Sequence, residues 1–396
     1  MRRRYIILGF YFILLTPVWM YLIWQLTAKR EIKIAIIDKT VLTRTGQEHR
    51  SLNWILNYKK FVRPNGKQYS ISDDYYGFFP QDSEKFNKQG FENMTKVQLD
   101  NIPNKYDMAY FTDTYGMYYN EWYKIGRTTE RSPHIFGGMQ PEDLNVIRRM
   151  KDQKKLVICE FNTICSPTSY GVRSQFEEMY GMKWTGWIGR YFECLDTTIN
   201  KELPHWVVRN YKMQHGNRWP FKKAGMVFDR DDDHVEVLEI GTHLEKESPC
   251  IITNKADQSR YNIPEKVGYP YWFDIMLTTH RNHVVSVFEL YPNKHGDSLL
   301  QAYNIPTHFP AMLEHYDSAY KFFYFSGDFA DNPIKDYLAK LKGIWYLSPL
   351  FYTREDLTSR TSFFWEYYTP VLGTILNRYY NDLYSDGPLG VYKKIK

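Results

Sequence analysis

Three β-branched or apolar runs, each followed by a loop that opens on an acid and then by a segment of helical period, constrain this chain more than any other feature. Residues 32–37 give way to Asp38, Lys39 and Thr40, after which Thr45 and Glu48 are spaced as a capping box and Leu52, Ile55 and Leu56 recur at helical spacing. Residues 107–112 lead to Asp113 and Tyr115, and a helix opens later at Pro141 with Leu144, Ile147 and Met150 on one face. Residues 156–159 lead to Glu160, Phe161 and Asn162, then to a helix after Ser169 that carries Val172, Phe176 and Met179 and closes at Gly181. Parallel strands need helical crossovers, and these helices cover both faces of the sheet. The expected fold is therefore α/β, with a mostly parallel, doubly wound sheet.

The pattern changes at residue 184. From there to about 282 short β-like pieces, 224–228 and 235–240, flank an acidic turn at 229–233, which reads as a β-rich insertion. Parallel-type units are expected to resume at 284–288 and at 321–325, the latter leading through residues 326–331 to a helix capped by Asn332 and Pro333. A helical segment, 332–396, closes the chain, with its main helix at about 370–384 ending before Gly387 and Pro388. No internal repeat or low-complexity linker interrupts residues 31–396, so they are read as one body with an insertion.

Ahead of that body, residues 5–24 contain no charged side chain, and about 20 residues of helix span about 30 Å, one bilayer core. Arg2, Arg3 and Arg4 flank the run on one side and Lys29 and Arg30 on the other, with Trp19, Tyr21 and Trp24 where an interfacial belt would lie. The run exceeds the apolar stretch of a secretory signal, and no small-residue cleavage site precedes Lys29. Residues 1–30 are expected to be a membrane anchor with a transmembrane helix at about 5–28. The expected arrangement is a single-pass signal-anchor protein with a cytoplasmic N-terminus and an extracytoplasmic body.

The net charge of +6 belongs almost wholly to this region, since Arg2, Arg3, Arg4, Lys29 and Arg30 supply five of the six charges. A nearly neutral body, with Lys393, Lys394 and Lys396 as its only basic cluster, excludes a nucleic-acid binder. Four cysteines are too few for a disulfide framework.

Open parallel sheets bind ligands beyond the carboxyl ends of their strands. Asp38 and Lys39, Asp113 and Tyr115, Glu160 and Asn162, and Asp328 and Asp331 fall there. Two neighbouring carboxylates can divide acid and base roles because burial and repulsion separate their pKa values, so Glu160 with Asp113 or Asp328 is the candidate catalytic set. Asp38, Lys39, Tyr115 and Asn162 are candidate ligand contacts. Aromatic residues make up 17% of the chain, and rings with polar tips suit sugar faces. Trp184, Trp187 and Arg190, separated by glycines, form the best local ligand wall. His280 and His283, with Asp231, Asp232 and Asp233, read as surface histidines and a hairpin turn, so no metal is expected. The absence of a phosphate-cradling loop, a dinucleotide fingerprint and a serine elbow leaves no cofactor expected.

The strand-loop-helix series over 32–182, and again over 284–331, resembles the flavodoxin-like layout of the class I glutamine amidotransferase-like fold. That family places a nucleophilic cysteine in a glycine-flanked turn after a central strand. Here the turn reads Glu160-Phe161-Asn162, Cys159 belongs to the strand, and Gly137-Gly138 stand where the family's glycine pair could lie. The resemblance implies a degenerate relative without amidotransferase activity. It would be an envelope protein that binds a glycan or an assembly partner, or else a membrane-tethered glycan hydrolase working through the acid pair.

Overall fold

The structure, a computed structural model, describes residues 11, 14–123, 132–246, 249–353 and 356–385. Its strands are β1 (Ile34–Asp38), β2 (Tyr76–Pro80), β3 (Phe86–Gln89), β4 (Met108–Asp113), β5 (Leu156–Cys159), β6 (Met182–Phe192), β7 (Gly225–Arg230), β8 (Val235–Glu239), β9 (Cys250–Thr253), β10 (Lys266–Gly268), β11 (Phe273–Thr278), β12 (His283–Glu289), β13 (His308–Tyr316) and β14 (Lys321–Phe325). A few shorter pieces accompany them. The helices of at least seven residues are α1 (Thr16–Leu26), α2 (Arg50–Tyr58), α3 (Lys96–Lys105), α4 (Pro141–Asp152), α5 (Tyr170–Tyr180), α6 (His205–Gln214), α7 (Lys255–Tyr261), α8 (Lys294–Ala302) and α9 (Thr369–Ser385).

Ten strands form one sheet in the order β10-β9-β12-β13-β14-β5-β4-β1-β2-β3. Period-two alternation explains its two covers. Ile34 and Ile36 of β1, Met108 and Tyr110 of β4, and Leu156 and Ile158 of β5 point to one face, where Leu52 and Ile55 of α2 and Leu372 and Ile375 of α9 pack on them. Ala35, Ile37, Ala109, Phe111, Val157 and Cys159 point to the other, under Ile102 of α3, Ile147 of α4 and Phe176 of α5. Cys159 is thus a core residue.

The sheet is mixed, which corrects the expectation of a mostly parallel one. β14, β5, β4, β1 and β2 run parallel, whereas β3, β13, β12, β9 and β10 each join antiparallel. Strand β12, expected as a parallel unit, lies antiparallel between β9 and β13. A strand covered on both faces shows the same apolar run in either direction, so composition could not separate the two cases. The helix expected after Asn332 and Pro333 is instead an irregular stretch ending in a 3-10 turn, Asp336–Lys340. Thr45 caps nothing; a 3-10 turn, Gln47–His49, precedes α2 and turns Glu48 elsewhere. The main C-terminal helix follows a π-helical turn, Phe364–Tyr368.

A second, antiparallel sheet of order β8-β7-β6-β11 stands beside the carboxyl edge of the first. Within 184–282, β9 and β10 belong to the large sheet instead. Strand β6 shifts register against β11 between Trp184 and Ile188. Gly186 sits in that irregularity at φ 90°, and its carbonyl accepts the Asp231 N–H at 2.9 Å.

Among the described residues no helix is long and apolar enough to cross a membrane. Most of the expected span before Leu14, the basic tail and Gly387-Pro388 lie outside the described residues. What is described of the span is α1, which docks through buried Met20 and Trp24.

Gly77 makes the β1–β2 pairing possible. It pairs with Asp38 at φ 151°, and a Cβ there would stand 1.5 Å from the Asp38 carbonyl oxygen. Gly77→Ala is expected to lower unfolding free energy by about 3 kcal/mol or more, read as a drop in denaturant midpoint. An unchanged midpoint would contradict this account of the edge.

Candidate functional site

The four central parallel strands β14, β5, β4 and β1 end side by side, and their exits surround a cavity of about 330 Å³, within the range of small-ligand sites. Asp113, the last residue of β4, lines it. Its Oδ1 accepts the Thr40 hydroxyl at 2.7 Å and the Tyr115 N–H at 2.6 Å. Burial, with the Asp38 charge adding to it, pushes this carboxyl up to about 7 against the hydrogen bonds that favour its ionised form.

Asp328, in the loop after β14, also lines the cavity. It is 7% exposed, and its Oδ1 has no hydrogen-bond partner among the described residues. Burial first, then the charges of Asp331 and Asp113, push it well above the ordinary carboxylate range despite Arg360 nearby. Asp331 is tied down: Oδ1 lies 2.6 Å from Arg360 Nη2, and Oδ2 accepts Gln47 Nε2 at 2.9 Å. Glu48 reaches the same cavity, pushed well up by burial and by Asp38, Asp331 and Asp113.

The second sheet and its loops form the opposite wall. Trp184 and Ile188 of β6, Trp206 of α6, and Tyr271 and Trp272 before β11 line the cavity with Phe161 and Tyr115. Phe161 and Trp272 stack with centroids 6.5 Å apart, and Trp184 Nε1 donates to the Trp187 carbonyl at 2.8 Å. The bulge at Gly186 lets both Trp184 and Ile188 face the cavity. The lining is acidic: Glu48, Asp113, Glu121, Asp229, Asp231, Asp328 and Asp331 line it against one described cation, Arg230. Asp232 already holds that guanidinium, at 2.8 and 2.7 Å.

The residues singled out from sequence divide into two groups. Asp113, Tyr115, Asn162, Trp184 and Asp328 line the cavity together. Asn162 adopts φ 63°, and its side chain hydrogen-bonds Asp113. Glu160, Asp38, Lys39, Trp187 and Arg190 are not part of the lining. Glu160 continues the alternation of Leu156 and Ile158, so its fully buried carboxyl points to the α9 face. There Tyr110, Tyr368 (3.2 Å) and the Ala330 N–H (2.8 Å) surround it. Burial pushes it up to about 8.

Asp38 is buried against His49, Oδ2 to Nδ1 at 2.5 Å, while His49 Nε2 lies 2.7 Å from the Ile71 carbonyl. Lys39 turns to the opposite face and pairs with buried Asp143 at 2.6 Å. Trp187 packs in the core near Tyr303. Arg190 pairs with Glu202 at 2.6 Å and lies over Phe192, Tyr271 and Trp272, bracing the wall from behind.

Glu48, Trp206, Asp229 and Phe161 were not legible as site residues. Glu48 had the spacing of a helix cap and Asp229 that of a hairpin turn, so each carried a sufficient local explanation. No three described His, Cys, Asp or Glu side chains converge as a metal-ligand set.

No family model matches the sequence, and no curated protein matches it. Solved structures with overall similarity include a ThuA-like protein from Bacteroides uniformis, at 9% identity over 80% of this chain and 90% of that one, TM-score 0.35. A ThuA-like protein from Parabacteroides merdae is 10% identical over 75% of this chain and 79% of that one, TM-score 0.34. The carbohydrate deacetylase Agd3 is 7% identical over 75% of this chain but only 29% of its own length, TM-score 0.32. Similarity at this level carries no activity across, and the fold rests on the topology described above.

Proposed function

We propose that this chain is a membrane-tethered, extracytoplasmic glycan-binding protein whose cavity takes a sugar bearing a positively charged amino group. The body is read as an amidotransferase-like scaffold that lacks that activity, with Glu160 where the family carries its cysteine. The observation that carries the ligand reading is Asp328, a buried carboxyl without a hydrogen-bond partner on its Oδ1, set in an acidic cavity walled by Trp184, Trp206 and Trp272. Indole faces stack on the C–H faces of pyranose rings and also attract cations. An ammonium adds positive charge to a lining in which the acids outnumber the one described cation, and its three N–H groups satisfy open acceptors.

The hydrolytic alternative is favoured by one feature, the Asp113 carboxyl held up to about 7, where a general acid works best. Hydrolysis also needs a second carboxyl held at a set separation across the glycosidic bond from that acid, whereas binding asks only for the acidic lining and the indole wall. Binding is therefore the reading we adopt.

Calorimetric titration with glucosamine oligomers, N-acetylglucosamine oligomers and neutral glucans tests it. Glucosamine oligomers are expected to bind, and Trp184→Ala to weaken them about tenfold through lost stacking. If no sugar of any class binds, the reading fails.

A further inference from the structure

The edge of the sheet opposite the cavity has a different character. Lys33 and Asp107 precede β1 and β4 there, joined by the Asp107 N–H to the Lys33 carbonyl at 2.7 Å. The chain just before β1 meets the end of α2 through the Arg30 N–H to the Lys60 carbonyl at 2.9 Å and Arg30 Nη2 to the Lys59 carbonyl at 2.8 Å. Helix α1 docks at the same place, with Trp24 Nε1 donating to the Asn57 carbonyl at 3.1 Å. The Lys342 N–H donates to the Met20 carbonyl, also at 3.1 Å, which brings residues 336–351 alongside α1.

Exposed apolar side chains concentrate on these two segments. Of the 24 large hydrophobic residues exposed among those described, nine fall in 11–26 and six in 337–351. Leu26 is 86% exposed, and Tyr346 and Leu350 are each 79% exposed. Aggregation of apolar surface in one place marks an interaction surface, whereas scattered single residues do not.

Cations gather around it: Lys29 and Lys340 are exposed, Arg30, Lys59 and Lys342 are half-buried, and Lys60 is buried with its amine over the Trp24 ring. Beyond partial burial, what depresses these amines is one another. Lys59 is lowered to about 8, with Arg30 and Lys342 contributing after burial, and Lys60 is lowered by Lys29 and Lys340 after burial. Lys342 is lowered by burial and then by Arg30. Such a cluster gains from an anionic partner, and Trp19, Trp345 and Tyr346 are the side chains that settle at a headgroup boundary.

We propose that this base is a seating surface for an anionic bilayer: exposed side chains of α1 and of residues 337–351 enter the interfacial layer, and Lys29, Lys340 and Lys342 meet its headgroups. The cavity then faces away from the lipid. This does not depend on what the cavity binds. Tyr337, Trp345, Tyr346, Leu347, Leu350 and Phe351 bring to the seat a part that lies more than 300 residues later in the chain than α1.

The test uses the full chain with vesicles of phosphatidylcholine, with and without phosphatidylglycerol. Cys159, Cys165 and Cys250 are buried, so Cys194→Ser with Tyr346→Cys allows one environment-sensitive label, and Ile199→Cys, 70% exposed beside the second sheet, gives the control. The label at 346 is expected to shift to the blue and to be quenched by spin-labelled lipid on phosphatidylglycerol vesicles, while the label at 199 does neither. Lys340→Glu with Lys342→Glu should weaken that association at least about tenfold, each cation near the surface contributing about fivefold. Equal behaviour with and without phosphatidylglycerol, a label at 346 that stays in water, or a blue shift without lipid quenching, as when a second copy or another protein covers the face, would each overturn it.

Discussion

Asp328→Asn is expected to reduce affinity for glucosamine oligomers by about tenfold to a hundredfold while leaving the fold intact. A hydrogen bond between a buried carboxylate and an ammonium contributes about 1.5–3 kcal/mol, and the amide keeps the volume but not the charge. Among the described residues nothing donates to Asp328 Oδ1, so the substitution breaks no described contact there, and removing a buried ionisable group should hold or raise stability. The pH profile carries a further signature. Asp328 is pushed well above its ordinary range, so binding should strengthen as rising pH removes its proton and weaken again once the sugar amine loses its own. In the asparagine variant the rising limb should be lost. Calorimetry across pH measures both effects, and an Asp328→Asn protein with wild-type affinity would remove the charge pairing from the account.

The second large effect is on stability. Glu160 is held up to about 8, and Asp113 and Asp274, a buried residue of β11 that accepts the Tyr324 hydroxyl, to about 7, all mainly by burial. In the unfolded chain these groups ionise near pH 4. The folded state therefore binds more protons than the unfolded state between those limits, so the stabilising contribution is complete below about pH 4 and is lost as pH rises through 7 to 8. Melting temperature is expected to be highest in mild acid and to fall toward pH 8.5.

Glu160→Gln should flatten the Glu160 part of that decline and stabilise the protein at pH 8 by a few kcal/mol, since one pKa unit corresponds to about 1.4 kcal/mol. The amide suits the site. Its oxygen can accept the Ala330 N–H while its NH2 donates to the hydroxyls of Tyr110 and Tyr368. Glu160→Ala should instead destabilise by about 3 kcal/mol, because it opens a cavity and orphans a buried N–H. Thermal unfolding of the three proteins from pH 4 to pH 8.5 decides this. A wild-type melting temperature that rises over that range would contradict the assignment of Glu160 as a buried neutral acid.

Glu160 also shows where the sequence was legible and where it was not. Its position after a buried strand was plain, but whether the alternation had already ended was not. One further residue of strand character sends the carboxyl to the α9 face instead of the cavity. It acts through Ala330 on the loop that carries Asp328 and Asp331, which makes it a positioning residue. Lys39 fails for a related reason: the chain leaves β1 so that Asp38 and Lys39 point to opposite sides, and a buried partner, Asp143, awaits the amine.

Asp113 and Asp328, by contrast, were reached from their places just past expected strands, since neighbouring parallel strands bring their exits together however the loops run. The wall could not be reached that way. Trp206 and Asp229 come from a second sheet whose placement against the first depends on packing more than 40 residues distant in the chain, and neither residue's local pattern carries it. The antiparallel half of the large sheet stayed hidden because apolar strands such as β12 read alike in both directions.

The most direct test is a crystal structure of the chain with a glucosamine oligomer bound. The account predicts the amino nitrogen within hydrogen-bonding distance of Asp328 and a pyranose ring against Trp184, Trp206 or Trp272. A sugar bound away from the exits of β1, β4, β5 and β14, or one whose amino group avoids Asp328, would contradict it.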